Sequence, residues 1–133
     1  MTSNQTERIA AAVRVGLGFL FVMTGVMKLV VPVLREAFIG QLAASGLPLQ
    51  QVSQWMVPLA ELVVGVMLLL GLYTRLSLLA VLGLMSVATY VHIVAEDPAL
   101  FPLQPSAPVI PVLVILSAAY LLWGLRSSPS ANT

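Results

Sequence analysis

Four stretches of the 133-residue chain, 9–31, 55–72, 76–95 and 108–125, are apolar almost throughout. At about 1.5 Å of rise per residue each is long enough as a helix to cross a hydrocarbon core of about 30 Å. Hydrocarbon offers no water to an unpaired amide or carbonyl, so segments of this kind fold as helices that satisfy their own backbone. The chain therefore reads as an all-α integral membrane four-helix bundle, one domain over residues 1–133, with a short interfacial helix between spans one and two. Its composition agrees: 59% of residues are hydrophobic and 8% charged, and the mean hydropathy of +1.02 lies outside the range of soluble domains.

The connections follow from their punctuation. Residues 1–7 are polar and expected to fray, and the run that follows is too long for a cleaved signal, so it is read as a retained first span. Pro32 ends that span by removing a donor and restricting Val31. Beyond it, Val33, Leu34, Ala37, Phe38 and Leu42 recur near helical spacing, which predicts one to three turns, too short to span. Gly46 and Pro48 stop that helix, and Pro58 is expected in the first turn of span two, where a missing donor costs little. Residues 71–75 leave room only for an antiparallel hairpin between spans two and three. The segment 96–107, with Pro98, Pro102 and Pro105 around Phe101, reads as an ordered cap, and 127–133 as a disordered tail.

Charge orients the bundle and removes function classes. Arg8, Arg14, Arg75 and Arg126 fall on the side shared by the termini, against Lys28 and Arg35 on the other. The positive-inside bias then makes the termini cytoplasmic, with Arg14, Arg75 and Arg126 as snorkelling anchors. The absence of cysteine removes thiol redox chemistry, disulfides and thiolate metal sites. One histidine among few acids falls short of a metal ligand set, so no metal is expected. A formal charge of +1 without a basic cluster gives nucleic-acid binding no support.

Against this background Glu61, inside the second apolar run, stands out. An ionisable group at the centre of a span costs about 2.5–3.5 kcal/mol on insertion scales, so it faces a bundle interior or wet cavity and has a partner. Glu61, Gly65, Leu68, Leu72 and Arg75 recur at steps of four and three, and so do Arg14, Gly18, Phe21, Gly25 and Lys28. Each set defines one helix stripe. Antiparallel packing of the first two spans brings Lys28 to the level of Glu61 and sets Gly25 beside Gly65, in a glycine-lined seam of the kind that lets backbones approach closely in lipid. At the other end Arg14 and Arg75 repel unless each finds lipid phosphate, water or an anion.

By depth, Lys28, Glu61 and His92 lie toward the same outer end, with Thr89 a turn below His92. An acid, an ammonium and an imidazole in a partly dry pocket suit proton exchange, with Lys28, His92 and Thr89 as hydrogen-bonding contacts for a quinone. The alternative is that Lys28 and Glu61 form a structural ion pair fixing helix register. The remaining glycines of the spans read as packing notches, and the methionines as core filler.

These residues carry a family likeness. Arg14-x-Gly16, Phe21, Gly25-x-x-Lys28, Pro32, Gly46-Leu47-Pro48, Glu61-Leu62-x-x-Gly65, Gly71-Leu72-x-Thr74-Arg75 and His92, in that order, resemble the DoxX/DoxD family of small four-span membrane proteins of bacteria and archaea. The resemblance implies a membrane component of redox metabolism, since members include a subunit of a thiosulfate:quinone oxidoreductase and others belong to a membrane oxidoreductase complex of thiol homeostasis. It implies partner membrane subunits or a homo-oligomer. With no cysteine here, electrons must be carried by a quinone or a partner subunit, and no intrinsic cofactor is expected. Two other readings stand beside this quinone-linked subunit: a structural subunit packed against a larger complex, and a small oligomeric transporter with Glu61 as its proton-coupled acid.

Overall fold

The computed structural model describes residues 2–127. Five helices follow one another, α1 (Ser3–Val30), α2 (Pro32–Ser45), α3 (Gln50–Leu70), α4 (Thr74–Val94) and α5 (Val109–Ser127), with one 3-10 turn at Pro98–Leu100. Four of them are long and apolar enough to cross a membrane. The expected tail falls outside the described residues except for Ser127, which closes α5.

Local chemistry sets the ends. Residues 3–7 are helical rather than frayed, because Thr2 and Gln5 form a capping box in which the Thr2 hydroxyl accepts from the Gln5 amide and the Gln5 side chain accepts from the Thr2 amide. Val31 is extended, as a residue before proline must be, and Pro32 opens α2 at its first position. At 14 residues α2 exceeds the expected one to three turns, and Gly46 in the left-handed region ends it. The mostly polar residues 50–54 already belong to α3, so Pro58 sits in the third turn rather than the first, buried, and leaves the Gln54 carbonyl without its usual intrahelical donor. Gly71, at φ +69°, turns the chain: its amide donates to Leu68 O and that of Leu72 to Met67 O. The stripe written from Glu61 to Arg75 therefore ends at Leu68, since Leu72 lies in the turn and Arg75 begins α4.

The four long helices form a ring in which α1 packs chiefly on α3 and α4 on α5, closed by the α3–α4 and α1–α5 sides. Leu17, Phe21, Leu68, Leu78, Val81 and Ala118 fill its centre. The outward surface stays apolar, with Phe19, Ile93 and Leu116 mostly exposed, as lipid-facing positions should be. The α1–α3 seam is backbone on backbone: a Cβ on Gly18 would come within 2.9 Å of Gly65 O, and one on Gly25 within 2.8 Å of Pro58 O. Gly65 thus faces Gly18 and Val22 rather than Gly25, and Gly25 faces Pro58 and Leu62. Helix α2 roofs the end where α1 finishes and α3 begins, touching α1, α3, α4 and the 3-10 turn.

Candidate functional site: a buried ion pair under a helical roof

Lys28 stands in the last turn of α1 and Glu61 in the middle of α3, and Lys28 Nζ lies 2.7 Å from Glu61 Oε1. The glycine contacts put the Cα of Glu61 about one turn deeper than that of Lys28. The side chains close this gap because each leans toward the N-terminus of its own helix, and in antiparallel helices those directions converge. The Glu61 side chain is 3% exposed and that of Lys28 26%. Position favours Lys28 as well, since a cation in a last turn meets the negative end of the helix dipole.

Helix α2 covers the pair. Phe38, itself buried, sets its ring 4.8 Å from Lys28 Nζ, a cation–π contact. One turn earlier Arg35 lies 4.0 Å over the Trp55 ring and reaches toward Lys28 O and Gln54 Oε1, each at 3.5 Å. One roof helix thereby ties the end of α1 to the start of α3.

Glu61 keeps one oxygen in reserve. Oε2 is buried and has no hydrogen-bond partner, a condition shared among the described residues only by Ser77 Oγ. A buried acceptor left without a donor costs about 1–3 kcal/mol, so a group supplied from outside the chain is favoured there.

His92 is held elsewhere under the same roof. Its Nδ1 lies 3.0 Å from Ser106 O, and its ring meets Phe101 at 4.2 Å between centroids with a 32° tilt. A carbonyl only accepts, so Nδ1 carries the proton and Nε2 is left for any further partner. Val91, Ala95 and Phe101 form a small core around this contact, with Leu47 and Leu100 against it. The roof fastens here too, through Gln41 Nε2 donating to Leu100 O at 2.5 Å and Tyr90 Oη to Ser45 O at 3.5 Å. His92 thus secures the 96–107 connection, and its recorded partners are that connection rather than Lys28 or Glu61. Thr89 gives its hydroxyl to Met85 O at 2.8 Å, within its own helix.

At the opposite end of the seam Arg14 takes a role that spacing did not indicate. Its guanidinium donates to Leu68 O and, at 3.4 Å, to Leu69 O, capping the end of α3. Gly71 leaves it room, since a Cβ there would lie 3.3 Å from Arg14 Nη1. The acceptors are main-chain carbonyls, so the readable signal was the glycine stop on α3, which announces exposed carbonyls at the depth of Arg14. Arg75 and Arg126 line a cleft between α4 and α5.

A ring of four apolar helices with a charged pair buried at one end defines a small multi-pass membrane protein. The sequence model of the DoxX family matches residues 9–93, which takes in Lys28, Glu61 and His92, and the chain belongs to that family. No curated protein and no solved structure matches it.

Proposed function

We propose that the protein is a membrane subunit of a quinone-linked oxidoreductase and that the Lys28–Glu61 pair is its proton-exchange contact. The observation that carries this reading is the unpartnered, buried Oε2 of Glu61. A carboxylate oxygen accepts, and the hydroxyl of a reduced quinone is a donor of matching chemistry. The residues present fit such a group: Oε2 accepts the hydroxyl proton, Oε1 stays bound to Lys28, and Lys28 balances the charge.

When bound, the quinone supplies two-electron redox chemistry, its reduced form releasing two protons and two electrons. Glu61 would take one hydroxyl proton at Oε2. Lys28, the more exposed member of the pair, would release one of its own ammonium protons outward and be recharged from Glu61, and a second round of the same relay would carry the second proton. The two electrons would pass to an acceptor on a partner subunit, since with no cysteine the chain has no thiol of its own to take them. Phe38 of α2, set over Lys28, keeps this end of the pair partly dry, which strengthens its electrostatics. In this reading the protein sits in a prokaryotic plasma membrane with both termini cytoplasmic.

A second reading, an accessory subunit packed against a larger membrane complex, is favoured by the closure of the site: Glu61 is nearly inaccessible and Phe38 lies over Lys28. A short-chain quinol titrated into the native complex separates the two. Glu61→Gln replaces an acceptor-only group with an amide that presents no free carboxylate, and should assemble normally yet lose quinol binding and turnover. Normal quinol-dependent activity in an assembled Glu61→Gln complex would leave only the accessory role.

A further inference from the structure

Away from the ion pair, the pairing of α4 and α5 leaves a cleft of about 420 Å³, within the range of about 300–1,000 Å³ usual for small-molecule sites. Its rim carries Arg75 from the first turn of α4 and Arg126 from the last turn of α5, with Trp123 beside them. Its walls are apolar, including Leu82 from α4 and Ala119 and Leu122 from α5. The cleft has a built-in polarity. Leu82 follows Arg75 by seven residues and Ala119 precedes Arg126 by seven, so on both helices the lining runs inward from a cationic rim over about two turns, or about 10 Å.

Among the described residues neither arginine has an anion of its own. Among the described residues the only salt bridge is Lys28–Glu61, and no side-chain hydrogen bond involves Arg75 or Arg126. Two guanidiniums at one rim repel unless an anion lies between them, and the planar fork of arginine suits phosphate oxygens. Trp123 is 71% exposed beside them, an amphipathic ring of the kind found at headgroup level.

We infer that this cleft is a binding site for one anionic phospholipid, its phosphate held between Arg75 and Arg126 and the upper part of one acyl chain lying along Leu82, Ala119 and Leu122. A free phosphate leaves the apolar walls uncovered, and a neutral hydrocarbon leaves the two cations unmatched. A phospholipid satisfies both, and the bilayer supplies it on this outward face. The lipid joins the start of α4 to the end of α5, so it stabilises the bundle as well as binding to it.

The test uses the full chain, delipidated in a nonionic detergent and titrated with phosphatidylglycerol, with phosphatidylcholine of the same chains, or with inorganic phosphate. Tm and bound mass by native mass spectrometry are read on the same samples. Phosphatidylglycerol should bind one to one and raise Tm saturably, with weaker effects from phosphatidylcholine and none from phosphate. Removing each arginine should weaken phosphatidylglycerol binding about five-fold, the worth of one cation at an anionic surface. Arg75→Gln with Arg126→Gln should lose the preference while keeping the lipid-free Tm. Should that variant fail to fold, Ala119→Trp, which fills the cleft from an exposed position, must abolish the one-to-one complex. Equal response to both lipids, the same shift from phosphate alone, an unchanged preference in either variant, or a dimer broken by the arginine substitutions and indifferent to lipid would each overturn the assignment.

Discussion

Gly18 and Gly65 stand so close across the α1–α3 seam that a Cβ on Gly65 would come within 2.7 Å of Gly18 O, and one on Gly18 within 2.9 Å of Gly65 O. The obstructing atoms include main chain on both sides, which cannot swing aside as a side chain does. Gly65→Ala or Gly18→Ala must therefore push the helices apart, at a cost of about 1–3 kcal/mol. Gly83, with nothing within 4 Å of its notional Cβ, is the control: Gly83→Ala should leave Tm in detergent unchanged or slightly raised. Equal loss at all three positions would contradict the seam.

The ion pair makes a prediction with a built-in reversal. Lys28→Met leaves Glu61 buried with neither oxygen partnered, at a cost of about 3–5 kcal/mol if the carboxylate stays charged. Adding Glu61→Gln removes the stranded charge, so the double variant should melt above Lys28→Met alone. Identical melting of the two would show that the pair does not hold the seam.

Arg14 should behave as a helix cap rather than as a lipid anchor. Hydrogen bonds to a charged donor are worth about 1.5–3 kcal/mol, so Arg14→Leu should lower stability by a comparable amount. It should also speed amide exchange in the last turn of α3, around Leu68–Leu70. A loss of stability without faster exchange there would place its contribution elsewhere.

His92 offers a way to separate tether from chemistry. In His92→Asn the amide nitrogen takes roughly the place of Nδ1 and can still donate to Ser106 O, whereas His92→Phe keeps the ring against Phe101 and loses the donor. Hydrogen exchange in 98–106 should stay slow in the first and rise in the second. If both protect the connection equally, the hydrogen bond is not what holds it.

Orientation is tested in a background free of cysteine. A cysteine at Ser3 should resist an impermeant thiol reagent in intact cells, while one at Ala99, exposed in the connection that His92 secures, should react. The opposite pattern would reverse the bundle in the membrane.

The sequence alone determined the four spans and the two residues of the ion pair. Length and hydropathy decide whether a segment enters hydrocarbon, and a carboxylate and an ammonium at matching stripe positions have few other partners there. It also held the Thr2–Gln5 cap and the Gly71 stop, as short-range patterns. Hydropathy passed over the mostly polar residues 50–54 of α3, because a helix continues past the apolar stretch that makes it visible. Only the tertiary structure decided the register of the seam, since a lysine and a glutamate that lean toward each other meet across about one turn and leave the glycines paired differently from their side chains. It alone decided the partners of Arg14 and His92, which are backbone carbonyls of Leu68, Leu69 and Ser106. Every residue carries such a carbonyl, so nothing in the letters singles these out until the chain has folded.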